Sequence, residues 1–226
     1  MLTGAGISAE SGLKTFRDHD GLWENHAIED VATPDAFAAD PALVYRFYNL
    51  RRQALTEVKP NTAHIALAEL EQSHHEVLLI TQNVDDLHQR AGSQNLITMH
   101  GELKLARCTD CETVSPSPAI LDHGSTCPVC EKTGYLRPHI VWFGEMPLAM
   151  TTIYQAVEHC DLFAAIGTSG HVYPAAGLVQ IARQNNAETI ELNREPSANT
   201  NQFDHGIYGD ASKIVPDWVS QLTQSG

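Results

Sequence analysis

Residues 2–17 read LTGAGISAESGLKTFR, and this stretch decides which fold we expect for the chain. Gly4, Gly6 and Ala9 give the spacing G-x-G-x-x-A where a short apolar segment turns into a helix. Glycines there permit a tight turn with positive φ and a close approach of backbone N–H groups to a pyrophosphate, and a helix N-terminus adds partial positive charge. The pattern alone fits a nucleotide-binding turn and an ordinary surface turn equally well.

The composition is that of a folded, acidic protein. Its 226 residues can form one large domain or a domain with an inserted lobe. No apolar run approaches the roughly 20 residues of a membrane span, and the first residues lack the features of a signal peptide, so we expect a cytoplasmic protein without a membrane partner. The formal net charge of −14 disfavours nucleic-acid binding and would suit basic substrates such as lysine-rich peptides.

Four of the five cysteines form two C-x₂-C pairs, which are Cys108 with Cys111 and Cys127 with Cys130. Two such pairs, fifteen residues apart, suit a tetrahedral zinc ion with no open position, which is a structural site. Two disulfides or two redox dithiols are the alternatives, and disulfides fit poorly with a chain that has no secretion signal. The spacing therefore predicts a structural zinc module inserted at residues 104–140.

Apolar runs alternate with helical patterns along the rest of the chain. Strands are predicted at 77–81, 97–100, 162–166 and 189–192, with an extended stretch at 140–145. Helices are predicted at 61–71, 147–159, 173–185 and 216–222, and after the capping pairs Thr33-Pro34 and Asp40-Pro41. This alternation with short links predicts an α/β fold built on a doubly wound parallel sheet.

Polar residues follow several predicted strands, at the ends where parallel α/β sheets bind ligands. They are Gln82, Asn83, Asp85, His100, Gly167, Thr168, Ser169 and Asn193. Taken singly, His100 is equally compatible with a structural histidine, but it ends a strand and leads directly into the zinc segment. In the helix that starts at Pro41, Tyr48 and Arg51 share a face and can reach one ligand. On spacing alone, a solvated arginine beside an interfacial tyrosine is the simpler interpretation of that pair.

The ordered set of motifs resembles the sirtuins, a family of NAD-dependent protein-lysine deacylases, over nearly the whole chain. The motifs are GAGIS at 4–8, TFR at 15–17, TQNVD at 81–85, MHG at 99–101, the two C-x₂-C pairs, VWFGE at 141–145, GTS at 167–169 and Asn193. Tyr48 and Arg51, with Ala32 upstream, resemble the class III branch of bacteria and mitochondria. In that branch the Tyr and Arg bind the carboxylate of succinyl- or malonyl-lysine, and the small residue widens the acyl pocket.

The resemblance implies a role for each matching residue. His100 would be the general base, supported by Asn83 and Asp85. NAD would be held by Gly4, Ala5, Gly6, Ser8, Glu10, Thr15, Phe16, Arg17, Trp23, Gln82, Asn83, Asp85, His100, Gly167, Thr168, Ser169, Asn193, Arg194, Glu195 and Ala211. The acyl-lysine substrate would be held by Ala32, Tyr48, Arg51, Val141, Trp142, Phe143, Gly144 and Glu145, of which the last five would pair with the substrate backbone as an added strand.

The implied reaction transfers the acyl group of lysine to ADP-ribose. The acyl oxygen attacks C1′ of the nicotinamide ribose and nicotinamide leaves. His100 then removes a proton from a ribose hydroxyl, a task suited to imidazole with its pKa of ~6.5, and this hydroxyl attacks the resulting imidate. Water then releases free lysine and O-acyl-ADP-ribose. Zinc takes no part in this chemistry. Protein ADP-ribosylation and a non-catalytic module that binds NAD and zinc are the alternative functions.

The resemblance also implies a domain organisation and a set of partners. Residues 1–25, 75–103 and 141–226 would form a Rossmann-like NAD-binding domain, 26–74 a helical segment bearing the acyl-selective pair, and 104–140 the zinc module. Acylated proteins or peptides would be the partners of a monomer. Members of that family carry a full apolar strand before TGAGIS, whereas only Met1 and Leu2 precede it here, so either the sequence starts within that strand or the first strand is very short.

Overall fold

The computed structural model describes residues 1–13, 26–224 and the backbone of residues 22–23. Within that part of the chain, the strands are β1 (Leu2–Thr3), β2 (Leu22–Trp23), β3 (His26–Ala27), β4 (Leu79–Thr81), β5 (Leu96–Thr98), β6 (Gly101–Cys108), β7 (Val114–Pro116), β8 (Leu136–Ile140), β9 (Leu162–Ile166), β10 (Glu188–Asn193) and β11 (His205–Tyr208). The α-helices there are α1 (Gly6–Ala9), α2 (Ile28–Val31), α3 (Pro34–Ala39), α4 (Pro41–Ala54), α5 (Thr62–Glu71), α6 (Leu87–Ala91), α7 (Met150–Glu158), α8 (Leu178–Gln184) and α9 (Ala211–Gln224).

The main sheet has six parallel strands in the order β11-β10-β9-β1-β4-β5, which confirms the predicted α/β fold. Apolar side chains alternate between its two faces, as the period of a strand requires. On β9, Ala164 and Ile166 pack towards α5 and α9, whereas Phe163 and Ala165 pack towards α7 and α8. The sheet is therefore buried on both faces, as expected for a doubly wound fold.

Strand β1 lies in the middle of the sheet. Leu2 pairs with Ile80 of β4 on one side and with Ala165 of β9 on the other. Leu2 and Thr3 are both buried, at 3% and 0% exposed. Two residues thus connect the two halves of the sheet.

A smaller lobe is built on the antiparallel sheet β7-β6-β8, which carries the cysteine pairs. Helices α2 to α4 pack on this lobe through a cluster that includes Phe47, Tyr48 and Trp142. Helix α5 instead packs on the main sheet, where Leu67 lies in one cluster with Trp218 of α9. The packing therefore groups α5 with the main sheet, although we placed it in the helical segment 26–74.

The starts of two helices agree with the predicted capping pairs. The hydroxyl of Thr33 accepts a hydrogen bond from the N–H of Ala36 at 3.0 Å, and the Asp40 carboxylate accepts one from Leu43 at 2.9 Å. Such caps stabilise a helix by about 1 kcal/mol each. Because they depend on neighbours in sequence, these starts could be predicted from sequence.

The start of α9 was predicted wrongly, since the helix begins at Ala211 and encloses Pro216. Proline lacks an N–H, which removes a hydrogen bond to the carbonyl four residues earlier. Here that carbonyl, of Ser212, accepts a hydrogen bond from the Thr62 hydroxyl at 2.5 Å, and the Ser212 N–H donates to the Glu10 carboxylate at 2.7 Å. Contacts from remote residues therefore compensate for the proline.

Other boundaries also differ from the prediction. Helix α7 starts at Met150, three residues later than predicted, and a 3₁₀ turn at Ala175–Gly177 precedes α8. The edge strand β11 was not predicted at all.

Within the described residues, no helix is both long enough and apolar enough to cross a membrane.

Candidate functional site

A single large cleft of about 1260 Å³ lies between the main sheet and the smaller lobe. It is lined by all the predicted NAD and substrate residues whose side chains are described: Gly4, Ala5, Gly6, Ser8, Glu10, Ala32, Tyr48, Arg51, Gln82, Asn83, Asp85, His100, Val141, Trp142, Phe143, Gly144, Glu145, Gly167, Thr168, Ser169, Asn193, Arg194, Glu195 and Ala211. Thr15, Phe16, Arg17 and the side chain of Trp23 lie outside the described residues, and their roles stay predictions.

The glycine-rich turn is built differently from our expectation. The positive φ lies at Gly167, at +63°, and not at Gly4 or Gly6. A Cβ on either Gly4 or Gly6 would lie 2.8 Å from the carbonyl oxygen of Gly167, and the Gly6 N–H donates to that oxygen at 2.9 Å. The glycines therefore let the turns after β1 and β9 touch at the ligand-binding edge. Helix α1 has only four residues, so the partial charge predicted at its N-terminus is small.

Ser8 connects the predicted catalytic residues at the floor of the cleft. Its buried hydroxyl donates to the Asp85 carboxylate at 3.0 Å and accepts from the Asn83 side-chain amide at 3.1 Å. The other Asp85 oxygen accepts the N–H of Leu87 at 3.0 Å. Burial raises the pKa of Asp85, against the opposing effect of these hydrogen bonds. Asn83 and Asp85 are thus fixed in position before any ligand binds.

His64 contacts the cleft residue Ser8, a contact that sequence reasoning missed. It is fully buried on α5, and its Nε2 lies 3.3 Å from the Ser8 hydroxyl. Its Nδ1 accepts the N–H of Asn61 at 3.3 Å, so Asn61 and His64 form a capping box at the start of α5. Burial lowers the pKa of His64 to about 4, which keeps the ring neutral. The only sequence signal was its position three residues after the helix cap, which indicates a helix start and not a cleft.

His100 is arranged as a base. Its Nδ1 lies 3.0 Å from the carbonyl oxygen of Gln82, which can only accept, so Nδ1 carries the proton. Nε2 of the neutral ring then holds the lone pair. Burial lowers the pKa of His100, against the raising effect of the Gln82 hydrogen bond, and so favours the neutral form at pH 7.

Tyr48 and Arg51, both on α4, line the same cleft. Tyr48 is fully buried, and its hydroxyl accepts the indole N–H of Trp142 at 2.9 Å. The Arg51 guanidinium carbon lies 5.7 Å from the ring centre of Phe47, one turn earlier on α4. Both residues line the cleft, which is compatible with their reaching one ligand, as the shared helix face predicts.

The segment 141–145 is not the extended stretch that we predicted. Strand β8 ends at Ile140, and the chain turns at Gly144, which has a φ of +89°. Four of its backbone N–H groups already have acceptors. Those of Val141, Phe143 and Glu145 donate to the backbone carbonyls of His100, Ala32 and Trp142, respectively. That of Trp142 donates to the Glu145 carboxylate. The Glu145 side chain thus holds the turn, a contact that apolar patterning does not reveal.

The four cysteines lie together in the smaller lobe, away from the cleft. Their sulfur atoms are all within 4.8 Å of one another, and the Cys108–Cys130 and Cys111–Cys127 distances are both 3.7 Å. A tetrahedral zinc ion with Zn–S bonds of about 2.3 Å requires sulfur atoms about 3.8 Å apart. The residues therefore fit a structural zinc ion, whose four thiolate ligands leave no position for water.

Comparisons with known proteins agree on one family. The sequence pattern of the Sir2 family matches residues 4–174. The NAD-dependent protein deacylase SIR2rp3 of Trypanosoma brucei brucei is 56% identical over 98% of this chain and 93% of its own length, and an NAD-dependent protein deacylase of Vibrio parahaemolyticus is also 56% identical with the same coverage. The crystal structure of a Sir2 homologue–NAD complex superposes with a TM-score of 0.90, at 41% identity, over 99% of this chain and 88% of the other.

Proposed function

The chain belongs to the Sir2 family, which makes it an NAD-dependent protein deacylase, and we propose that it removes acidic succinyl and malonyl groups from lysine as well as acetyl groups. The observation that supports this proposal is that His100, Tyr48 and Arg51 line one cleft. Its substrates are acylated lysines of proteins or peptides.

The cleft residues at the ends of the main-sheet strands, which we call the nucleotide side, fit NAD. We assign the phosphates to the turn at Gly4–Ser8 and the adenosine end to Gly167, Thr168, Ser169, Asn193 and Ala211, all of which line the cleft. When bound, NAD supplies an activated ribose carbon that accepts the acyl group as nicotinamide leaves. Asn83 and Asp85, held by Ser8, would orient the nicotinamide ribose.

His100 would remove the proton of a ribose hydroxyl. Nδ1 is held by the Gln82 carbonyl, so the proton has to be taken up by Nε2. General bases of this kind accelerate a reaction by about 10²–10⁴-fold. The lowered pKa of His100 keeps Nε2 available at neutral pH.

Arg51 would bind the carboxylate of an acidic acyl group. A guanidinium offers two parallel N–H donors to a carboxylate, and the Tyr48 hydroxyl lies one helical turn away to supply another. Acetyl-lysine has no carboxylate and would not depend on these contacts. The substrate backbone would pair with Gly144 and with the carbonyls of 141–145, because most N–H groups of that segment are already used.

Arg51→Met tests the proposal by mass-spectrometric assay with NAD and two matched peptides, one acetylated and one succinylated on lysine. Loss of a charge-assisted contact of about 1.5–3 kcal/mol should lower desuccinylation roughly ten- to a hundredfold, while deacetylation is largely kept. Arg46→Met is the matched control, because Arg46 is exposed on the same helix and does not line the cleft. Equal losses on both peptides would mean that Arg51 supports the fold, and a wild-type protein inactive on succinyl-lysine would contradict the proposal.

A further inference from the structure

Trp142 packs against an ion pair between the buried Arg137 and the half-buried Glu145. The Arg137 guanidinium carbon lies 3.5 Å from the centre of the indole ring, and Arg137 is only 6% exposed. Two of its nitrogens bind the Glu145 carboxylate, at 2.7 and 2.9 Å, and one also donates to the Ile140 carbonyl at 2.8 Å. Burial alone would raise the pKa of Glu145, but Arg137 and the Trp142 N–H hold it below its usual range. The planar guanidinium thus clamps one face of the indole.

The backbone and the side chain of Trp142 are both fixed by hydrogen bonds. Its backbone N–H donates to Glu145 at 2.8 Å, and its indole N–H donates to the Tyr48 hydroxyl at 2.9 Å. An indole N–H can donate but cannot accept. In this pair the Tyr48 oxygen is therefore the acceptor, and the hydroxyl proton of Tyr48 points away from Trp142.

We propose that Trp142, positioned by Arg137, determines specificity for acidic acyl groups by directing the O–H of Tyr48 towards the acyl carboxylate. The inference rests on the proposed function of Tyr48 and Arg51. A freely rotating hydroxyl loses rotational freedom when it donates to a carboxylate, whereas one that already accepts from Trp142 keeps its proton on the side away from the indole before the substrate arrives. Burial raises the pKa of Tyr48, which keeps that proton on the oxygen.

The same contacts connect acyl selectivity to the zinc module. Arg137 lies on β8, where it pairs with Arg107, and the next pair in the register is Leu136 with the zinc ligand Cys108. The cysteine cluster fixes the end of this sheet, and the sheet fixes the guanidinium that packs on Trp142. Arg137 and Trp142 are positioning residues in this arrangement, since neither carries out chemistry.

Trp142→Phe tests the inference, because it keeps an aromatic ring beside Arg137 and removes the indole N–H together with the rest of the five-membered ring. The measured quantity is the ratio of kcat/KM for succinyl-lysine to kcat/KM for acetyl-lysine. Loss of one hydrogen bond should lower this ratio by roughly three- to tenfold. In a Tyr48→Phe background the same change should have no further effect on the ratio, because the partner hydroxyl is already gone.

Trp218→Phe is the matched control, since Trp218 is equally buried but packs on α5 and the main sheet. It should leave the ratio unchanged, and thermal unfolding of each variant separates folding defects from selectivity. If Trp142→Phe does not fold, Arg137→Lys keeps the charge facing Glu145, loses the planar stack and should also lower the ratio.

The outcomes distinguish this inference from the proposed function. A wild-type protein that does not turn over succinyl-lysine would overturn both. If Tyr48→Phe lowers the ratio and Trp142→Phe does not, the proposed function stands and the inference is wrong. A ratio that falls further when Trp142→Phe is added to Tyr48→Phe would also contradict it, because Trp142 would then act independently of the hydroxyl.

Discussion

The two sides of the cleft are built by different means. The nucleotide side consists of backbone turns at the ends of β1, β4 and β9, where Gly6 and Gly167 touch directly. The acyl side consists of side chains from distant elements, of which Tyr48 of α4 and Trp142 after β8 are joined by a hydrogen bond. Under the proposed function, the residues for the chemistry and those for acyl preference therefore belong to different structural elements. Changes on the first side should affect every substrate, and changes on the second should alter only the choice among them.

His100→Ala should give the largest effect and should not discriminate between substrates. Removal of a general base is expected to lower kcat by about 10²–10⁴-fold on acetyl- and succinyl-lysine alike, leaving their ratio unchanged. NAD binding, measured by titration calorimetry, should persist. His159→Ala is the control, since this histidine is exposed at the end of α7, away from the cleft. Full activity of His100→Ala would remove the base from the mechanism.

Gly167→Ala should show that the nucleotide side tolerates no added side chain. Its Cβ would lie 2.4 Å from the backbone nitrogen of Ile7, at a φ of +63°. The strain of a left-handed backbone conformation and the overpacking of the added methyl group should together lower the free energy of unfolding by roughly 2–5 kcal/mol, as measured by urea denaturation.

Gly144→Ala provides the comparison on the acyl side. Gly144 also has a positive φ, but no neighbouring atom lies within 4 Å of its Cβ position. Strain alone should then cost about 1–2 kcal/mol. If the two substitutions destabilise the protein equally, position 167 requires glycine because of its φ alone and not because of the contact between the two turns.

The pH dependence of the reaction should give the smallest effect. Because burial lowers the pKa of His100, its neutral form persists below the ordinary pKa of ~6.5. As the pH falls, kcat/KM for the acetylated peptide should therefore stay level through pH ~6.5 and decline only at lower pH. A decline centred above pH 6.5 would mean that the environment of His100 favours the protonated ring.

Features fixed by neighbours in sequence could be predicted, and features fixed by distant residues could not. The zinc ligands and the helix starts at Thr33 and Asp40 depend on short spacings, so the sequence contained the whole signal. The start of α9 depends on Thr62, more than 140 residues earlier in the chain.

The candidate site follows the same rule. Its polar residues follow short strands and could be identified from their order along the chain. The contact of His64 with Ser8 and the turn held by Arg137 and Glu145 arise only when separate elements pack together. Because residue patterning reports burial and period, it could not show which side chains would meet there.

The two-residue strand β1 has a consequence for folding kinetics. Its partners, the strands that begin at Leu79 and Leu162, are both far away in sequence, so each pairing closes a long loop. The loop-closure entropy of such contacts has to be overcome before they stabilise the chain. We therefore expect β1 to be inserted late, after β4 and β9 have been placed by their own helices. Since the nucleotide-binding turn begins directly after β1, the ability to bind NAD should be among the last properties that the folding chain acquires.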